Sequence, residues 1–356
     1  MLKARKCVRE MREYHSPLSA PATELRLDMN ENTTGCSPRV LAKIRSLDAK
    51  LLALYPRREY GERLVADFLG INPSEAMLTN GADEGIDLLC RAYLDNNDEL
   101  VLVVPTFGMY EVFSQGSAAK VARVAAGPEF GFPVDKVVDA ITPRTRMIII
   151  CNPNNPTGTV IERADILRVL EAAPDAAVLV DEAYFEFYGK TMMDQIGKVP
   201  NLFIARTFSK VYGLAGLRLG VLAGATEQIS VLKRMASPFN INAFAIECVA
   251  EALADRESVD AYVQQVSRTR EWLRKQLEAL GVKCWPSAAN FILANFGASK
   301  NNVLTAMGQK GIALRDRPDC EGCIRITIGT QQEMERVVRE LQQILAGKPE
   351  VQQVAG

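Results

Sequence analysis

Residues 147–158 read Met147-Ile148-Ile149-Ile150-Cys151-Asn152-Pro153-Asn154-Asn155-Pro156-Thr157-Gly158, an apolar run that stops in a turn rich in asparagine, proline and glycine. A run with no polar alternation predicts a strand covered on both faces, the kind found in mostly parallel sheets. The pattern recurs on either side, in Leu100–Val104, Ala177–Val180 and Leu202–Ala205. Between the runs, Ile86, Leu89, Cys90 and Tyr93 repeat at the spacing of one buried helix face. Alternating strands and helices from about residue 70 to 225 predict βαβ units and a layered α/β domain.

Further along, Glu257–Leu280 reads as a long helix, and Asn290–Ala294 and Cys323–Ile328 as strands. Met334, Val337, Val338, Leu341 and Leu345 fall on one face of a closing helix. The expected organisation is therefore a large, mostly parallel-sheet α/β domain over residues 46–240 and a smaller α+β domain over 241–356. Residues 1–45 form an N-terminal arm and contribute to the smaller domain.

Composition narrows the function. The 356 residues are 48% hydrophobic and 24% charged, ordinary for a globular chain with a large core. A net charge of −1 gives no global field towards nucleic acid or an anionic membrane. The stretch MLKARKCVREMREYH has no apolar core and does not read as a secretory signal, and no apolar run reaches membrane-span length. Eight scattered cysteines predict reduced thiols in a cytoplasmic protein, and the lone CxxC at Cys320 and Cys323 predicts loop packing. The single histidine, His15, argues against a histidine-rich metal site or a Ser-His-Asp triad, so no metal is expected. An enzyme built this way relies on lysine and carboxylates, or on a cofactor.

In open α/β sheets ligands bind beyond the carboxyl ends of the strands, and here each apolar run ends in polar or turn-forming residues. After Met77–Thr79, Asn80-Gly81-Ala82-Asp83 opens a helix whose first N–H groups suit a phosphate, although the segment alone reads more simply as a capped helix with acidic residues in its first turn. Pro105-Thr106-Phe107-Gly108-Met109-Tyr110 brings aromatics that serve either a flat ring or the core. Asn155 offers a side-chain amide from a rigid turn. Asp181, at the end of a buried run, needs a cation unless it only caps the next segment. Lys210, among small, aromatic and hydroxylated residues, is set for deprotonation and attack on an aldehyde, or else its stem covers apolar neighbours. Thr207, Ser209 and Arg218 suit a phosphate, whereas the GxxGxxxG spacing of 213–220 is not that of a dinucleotide fold. A phosphate-bearing aldehyde fits this set better than a dinucleotide.

These residues carry a resemblance. The chain resembles the fold-type I, pyridoxal-phosphate-dependent aminotransferases, and among them the histidinol-phosphate aminotransferase family. The matching segments run in family order over nearly the whole chain and include NENTTG (30–35), LYPRREYGERL (54–64), NGADEGIDLL (80–89), CNPNNPTG (151–158), DEAYFEF (181–187), TFSKVYGLAGLRLG (207–220) and GCIRITIGT (322–330). The resemblance implies that Lys210 holds pyridoxal 5′-phosphate as a Schiff base and that Asp181 pairs with the ring nitrogen. It implies that Asn155 and Tyr184 bond the ring oxygen and that Tyr110 stacks on the ring. Gly81, Ala82 and Asp83, with Thr207, Ser209 and Arg218, are implied to bind the phosphate, and Tyr55 to reach the partner subunit's cofactor in a homodimer. Arg325 is implied to anchor the anionic end of the amino donor and the 2-oxo acid, helped near the entrance by Tyr14, Asn30 and Arg315. Thr33 replaces the usual proline of the NEN-P-x-G segment, and EYHSP (13–17) replaces a PYxPG-like stretch, both in the arm that closes over substrate. Other amino-acid transaminases, such as aromatic ones, and threonine-phosphate decarboxylases share these motifs. A cofactor-binding regulator on the same fold carries a DNA-binding module ahead of it, where this sequence has a short arm.

Overall fold

A computed structural model describes residues 2–11, 24–127 and 129–346. Strand β1 (Leu25–Leu27) lies apart from the strands that follow it in the chain. Seven strands form the large sheet: β2 (Ala76–Asn80), β3 (Glu99–Val104), β4 (Lys120–Ala125), β5 (Thr145–Cys151), β6 (Ala177–Asp181), β7 (Leu202–Thr207) and β8 (Leu219–Gly224). Their order is β2-β8-β7-β6-β5-β3-β4, and all run parallel except β8, which is antiparallel to both neighbours. A smaller sheet has the order β1-β11-β12-β10-β9, with β9 (Lys283–Cys284), β10 (Phe291–Asn295), β11 (Ile312–Asp316) and β12 (Cys323–Thr327). In it β1 runs parallel to β11 and the remaining pairs are antiparallel.

The continuous apolar runs are strands because both sheet faces are covered. Met147, Ile149 and Cys151 of β5 join one core cluster with Leu179 and Phe203, while Ile148 and Ile150 join another with Val178, Val180 and Ile204. Alternate residues thus serve opposite faces, as the strand period of two requires. The helix Gly81–Tyr93 buries Ile86, Leu89 and Cys90 against one face, and Tyr93 tilts against Phe203 at 5.5 Å between ring centroids. The helix Arg256–Ala279 buries Val259, Tyr262, Val266, Leu273 and Leu277 along one stripe, and its start is capped by Asp255 accepting from the Ser258 N–H. The helix Gln331–Ala346 buries Met334, Val337, Val338 and Leu341.

Two large-sheet strands lie outside the apolar-run pattern. β4 is an edge strand, exposed at Lys120, Arg123 and Ala125, so its sequence KVARVA mixes charge with apolar residues. β8 is fully buried but begins within the glycine-spaced segment and returns antiparallel between β7 and β2. Cys320 and Cys323 pack with Trp285 and Leu293 in a small apolar cluster, and burial pushes the Cys320 thiol up to about 12. Among the described residues no helix is long and apolar enough to cross a membrane.

Candidate active site

The parallel strands bring their carboxyl ends to one edge of the large sheet, and the polar segments found in the sequence collect there. Asp181 closes β6 beside Cys151 of β5 and Ala205 of β7. Its carboxylate is buried, and it accepts from the Tyr110 hydroxyl at 2.6 Å and from the Ala183 N–H at 3.0 Å. Burial pushes this carboxyl up from 3.8 to about 6, against the opposing effect of those two donors. Among the described residues no cation pairs with it, so the site holds a buried carboxylate that calls for a positive partner.

Lys210 follows β7 in a turn, half-buried, and its Nζ donates to the Met29 carbonyl at 3.0 Å. Burial, reinforced by the Arg325 charge, lowers its amine to about 8. The free amine that attack on an aldehyde requires then reaches half the population at about pH 8.

Arg325, on β12, is 5% exposed. It donates through Nη1 to Asn155 Oδ1 at 2.7 Å and through Nη2 to the Asp28 carbonyl, while its buried Nε has no partner. Burial lowers this guanidinium to about 10. A buried arginine that meets only neutral acceptors is a site for an anion. Arg315 of β11 stands opposite Arg325 in strand register, with Nη1 3.9 Å from Met29 Sδ.

Tyr184 lies buried between these groups, and its hydroxyl oxygen accepts from Asn30 Nδ2 at 2.9 Å and Asn155 Nδ2 at 3.4 Å. Burial raises this phenol well above its ordinary value.

At the far end, the helix Gly81–Tyr93 starts with its first-turn N–H groups free of intrahelical acceptors. Gly81 has φ +74°, its N–H donates to the Arg218 carbonyl at 2.9 Å, and a Cβ there would run into the Arg218 guanidinium. A Cβ at Gly220 would lie 2.6 Å from the Ala82 nitrogen, so the glycine lets β8 approach the helix start closely. Arg218 pairs with Asp83 at 3.2 Å, and Thr207 Oγ1 accepts from the Ser209 N–H at 3.1 Å. Backbone donors at a helix N-terminus, with a guanidinium beside them, suit the cradling of a phosphate.

The family model for aminotransferase class I and II matches residues 22–341. The chain belongs to this family. Its cofactor is pyridoxal 5′-phosphate, and its reaction class is amino transfer. A histidinol-phosphate aminotransferase of Dehalococcoides mccartyi strain BAV1 is 33% identical over 323 residues, covering 89% of each chain. One of Moorella thermoacetica is 34% identical over 332 residues, covering 90% of this chain and 86% of the relative. Among solved structures, a putative histidinol-phosphate aminotransferase from Erwinia carotovora atroseptica superposes with a TM-score of 0.85 at 26% identity, covering 90% of this chain and 95% of that one. The fold is shared with histidinol-phosphate aminotransferase from Sinorhizobium meliloti in complex with pyridoxal-5′-phosphate, at TM-score 0.89 and 20% identity over 97% and 98% of the two chains.

The residues present fit the aminotransferase cofactor. The unpaired buried carboxylate of Asp181 suits a protonated ring nitrogen, the low-pKa Lys210 suits its aldehyde, and the close glycine approach at the helix start suits its phosphate. Tyr110 is completely buried and its hydroxyl donates to Asp181. Phe107 is half-buried, packs against the same core and lies edge-on to Tyr110 with ring centroids 5.4 Å apart. Asn30 is 1% exposed and bonded to Tyr184, and the peptide around it is tied down by Thr327 and Asn290. Tyr14 lies outside the described residues. Tyr55 is 77% exposed and stacks on Phe239 with ring centroids 4.2 Å apart. Nothing in residue spacing foretold the Asp28 and Met29 carbonyls as acceptors for Arg325 and Lys210, since every residue carries a carbonyl.

Proposed function

We propose that this aminotransferase moves the amino group of histidinol phosphate to 2-oxoglutarate, in the cytoplasm and as a homodimer. The observation that carries the reading is Arg325, buried without a carboxylate partner, hydrogen-bonded to Asn155 and close enough to Lys210 to depress its amine. With Arg315 opposite in register, it supports a double anchor for a phosphate dianion in one half-reaction and a carboxylate in the other. The names of the curated relatives favour histidinol phosphate as the donor.

When bound, the cofactor supplies the carbonyl that accepts the amine and the ring that withdraws electrons from the substrate Cα. Lys210 would take the proton from that Cα as a neutral base and then deliver it as an acid to complete the transfer. Asp181 would keep the ring nitrogen protonated, and Tyr110 holds that carboxylate in place. Asn155 and Tyr184 would serve the ring oxygen, the Tyr110 ring would stack on the cofactor, and Gly81, Ala82, Asp83, Thr207, Ser209 and Arg218 would hold the phosphate. The proposal keeps the division into 1–45, 46–240 and 241–356, supported by β1 pairing within the small sheet.

A donor panel tests it. Histidinol phosphate with 2-oxoglutarate yields glutamate, and Arg325→Gln raises KM for the phosphorylated donor by about 10²-fold or more, as loss of a buried charged anchor implies. Release of CO₂ from threonine phosphate, with no glutamate from histidinol phosphate, contradicts the assignment.

The homodimer rests on an exposed apolar strip. Leu52, Leu54, Tyr55 and Phe239 are 65%, 67%, 77% and 50% exposed, unusual for contiguous large side chains facing water. Asn240, next to Phe239, bonds Leu78 O and Glu84 at the base of the phosphate cradle, so a partner seated on the strip reaches that cradle. Sedimentation equilibrium is expected to show a dimer, and Leu52→Glu with Leu54→Glu to show monomers with little activity. A fully active wild-type monomer overturns this part.

A further inference from the structure

We infer that Asn30 is a positioning residue for Tyr184: its amide fixes which way the Tyr184 hydroxyl hydrogen points and turns it onto the cofactor's ring oxygen. The inference deepens the proposed function and rests on the cofactor ring lying beside Tyr184.

Asn30 has φ +55°, a left-handed conformation that L-residues seldom adopt and asparagine tolerates better than most. Every polar group it has is engaged. Its N–H donates to Thr327 Oγ1 at 3.0 Å, and its carbonyl accepts from Asn290 Nδ2 at 3.1 Å. Its Oδ1 accepts from the Thr327 hydroxyl at 3.1 Å, and its Nδ2 donates to the Tyr184 oxygen at 2.9 Å. The amide orientation follows from this set. Among the described residues the Thr327 hydroxyl hydrogen has Asn30 Oδ1 as its acceptor, and flipping the amide removes it.

Asn155 is oriented independently. Arg325 is donor-only, so Asn155 must present Oδ1 to it and Nδ2 to Tyr184. Two amides therefore give hydrogens to the Tyr184 oxygen, and among the described residues no protein group accepts the Tyr184 hydrogen. That hydrogen is left for a ligand acceptor. The Asn155 bond is the longer of the two, at 3.4 Å, so Asn30 makes the stronger hold on Tyr184. Asn30 is itself anchored to Thr327 at the end of β12 and to Asn290 just before β10, so the small sheet sets the polarity of a tyrosine that follows β6 of the large one.

The test is a pH titration of the visible absorbance of the cofactor-loaded enzyme, which reads the proton on the imine nitrogen at Lys210. A donor on the ring oxygen draws negative charge away from that proton, so losing the donor holds the proton to higher pH. Asn30→Asp keeps the shape but accepts from Tyr184, and is expected to raise the midpoint by about one to two pH units, the worth of one hydrogen bond to a charged oxygen. Asn30→Gly, which tolerates the backbone angle and only deletes the amide, gives a smaller rise in the same direction. Tyr184→Phe gives the full rise, and adding Asn30→Asp to it changes nothing more, because the asparagine acts through the tyrosine. An unchanged midpoint in both Asn30 variants, or shifts that add to that of Tyr184→Phe, overturns the inference. A wild-type enzyme that shows no Lys210-linked absorbance fails the functional reading instead.

Discussion

Lys210→Ala is expected to abolish the visible absorbance of the bound cofactor and to cut turnover by about 10⁴-fold or more, the scale of a lost proton-transfer group. On the proposed function the lysine combines two roles. Its nitrogen would take the cofactor's aldehyde, and its free form would be the base for the substrate Cα proton. Its hydrogen bond to Met29 O is a single contact with the backbone, so the variant is expected to fold and to melt close to the wild type. The direction of the pKa adds a second reading. Burial and Arg325 lower the amine to about 8, so the neutral, reactive form grows as pH rises through that value. Cofactor capture by the cofactor-free wild type should therefore speed up through about pH 8 and level off above it. Stopped-flow absorbance checks this, and a capture rate that falls over the same range contradicts it.

The second large effect is at Asp181. Asp181→Asn is expected to weaken cofactor binding and lower turnover by about 10³-fold, because a preorganised charge facing the ring nitrogen is lost. The cofactor-free protein should respond in the opposite sense. The folded-state carboxyl sits at about 6 against 3.8, so the folded chain holds the proton more tightly than the unfolded one. The associated stability is fully present below about pH 4 and is lost as pH rises to about 6, reaching about 3 kcal/mol where the buried carboxylate is charged and unpaired. Without cofactor, Asp181→Asn should melt above the wild type at pH 8 and near it at pH 4; with cofactor the order at pH 8 reverses. Melting curves at the two pH values, with and without cofactor, measure this. Identical pH dependence of the two proteins contradicts the picture of a carboxylate waiting for a cation.

The strands of the large sheet that carry the chemistry were legible because burial on both faces leaves no room for polar alternation. β5, β6 and β7 fall where the apolar runs of the sequence place them, and each run ends next to its polar cluster. β4 was hidden because an edge strand keeps charged residues, and β1 and β9 because three or two residues make no pattern. At the site, residues that act through their own chemical type, such as Lys210 and Asp181, stand out in a one-dimensional reading. Residues that act through a partner do not. The hydroxyl of Tyr110 gains its meaning only when it is seen on Asp181, and Asn30 is one polar residue among many until Thr327, nearly three hundred positions away, is seen holding it. Arg325 carried no local signal of its own beyond family likeness, since only burial beside Asn155 distinguishes it from any strand arginine.

Lys210 is the lysine proposed to bind pyridoxal 5′-phosphate. Borohydride reduction of the cofactor-loaded enzyme, followed by proteolysis and mass spectrometry of the peptides, tests it most directly. The expected result is one phosphopyridoxyl adduct, on the peptide carrying Lys210 and lost in Lys210→Ala. An adduct on a different lysine, or none in an enzyme that still transaminates, contradicts it.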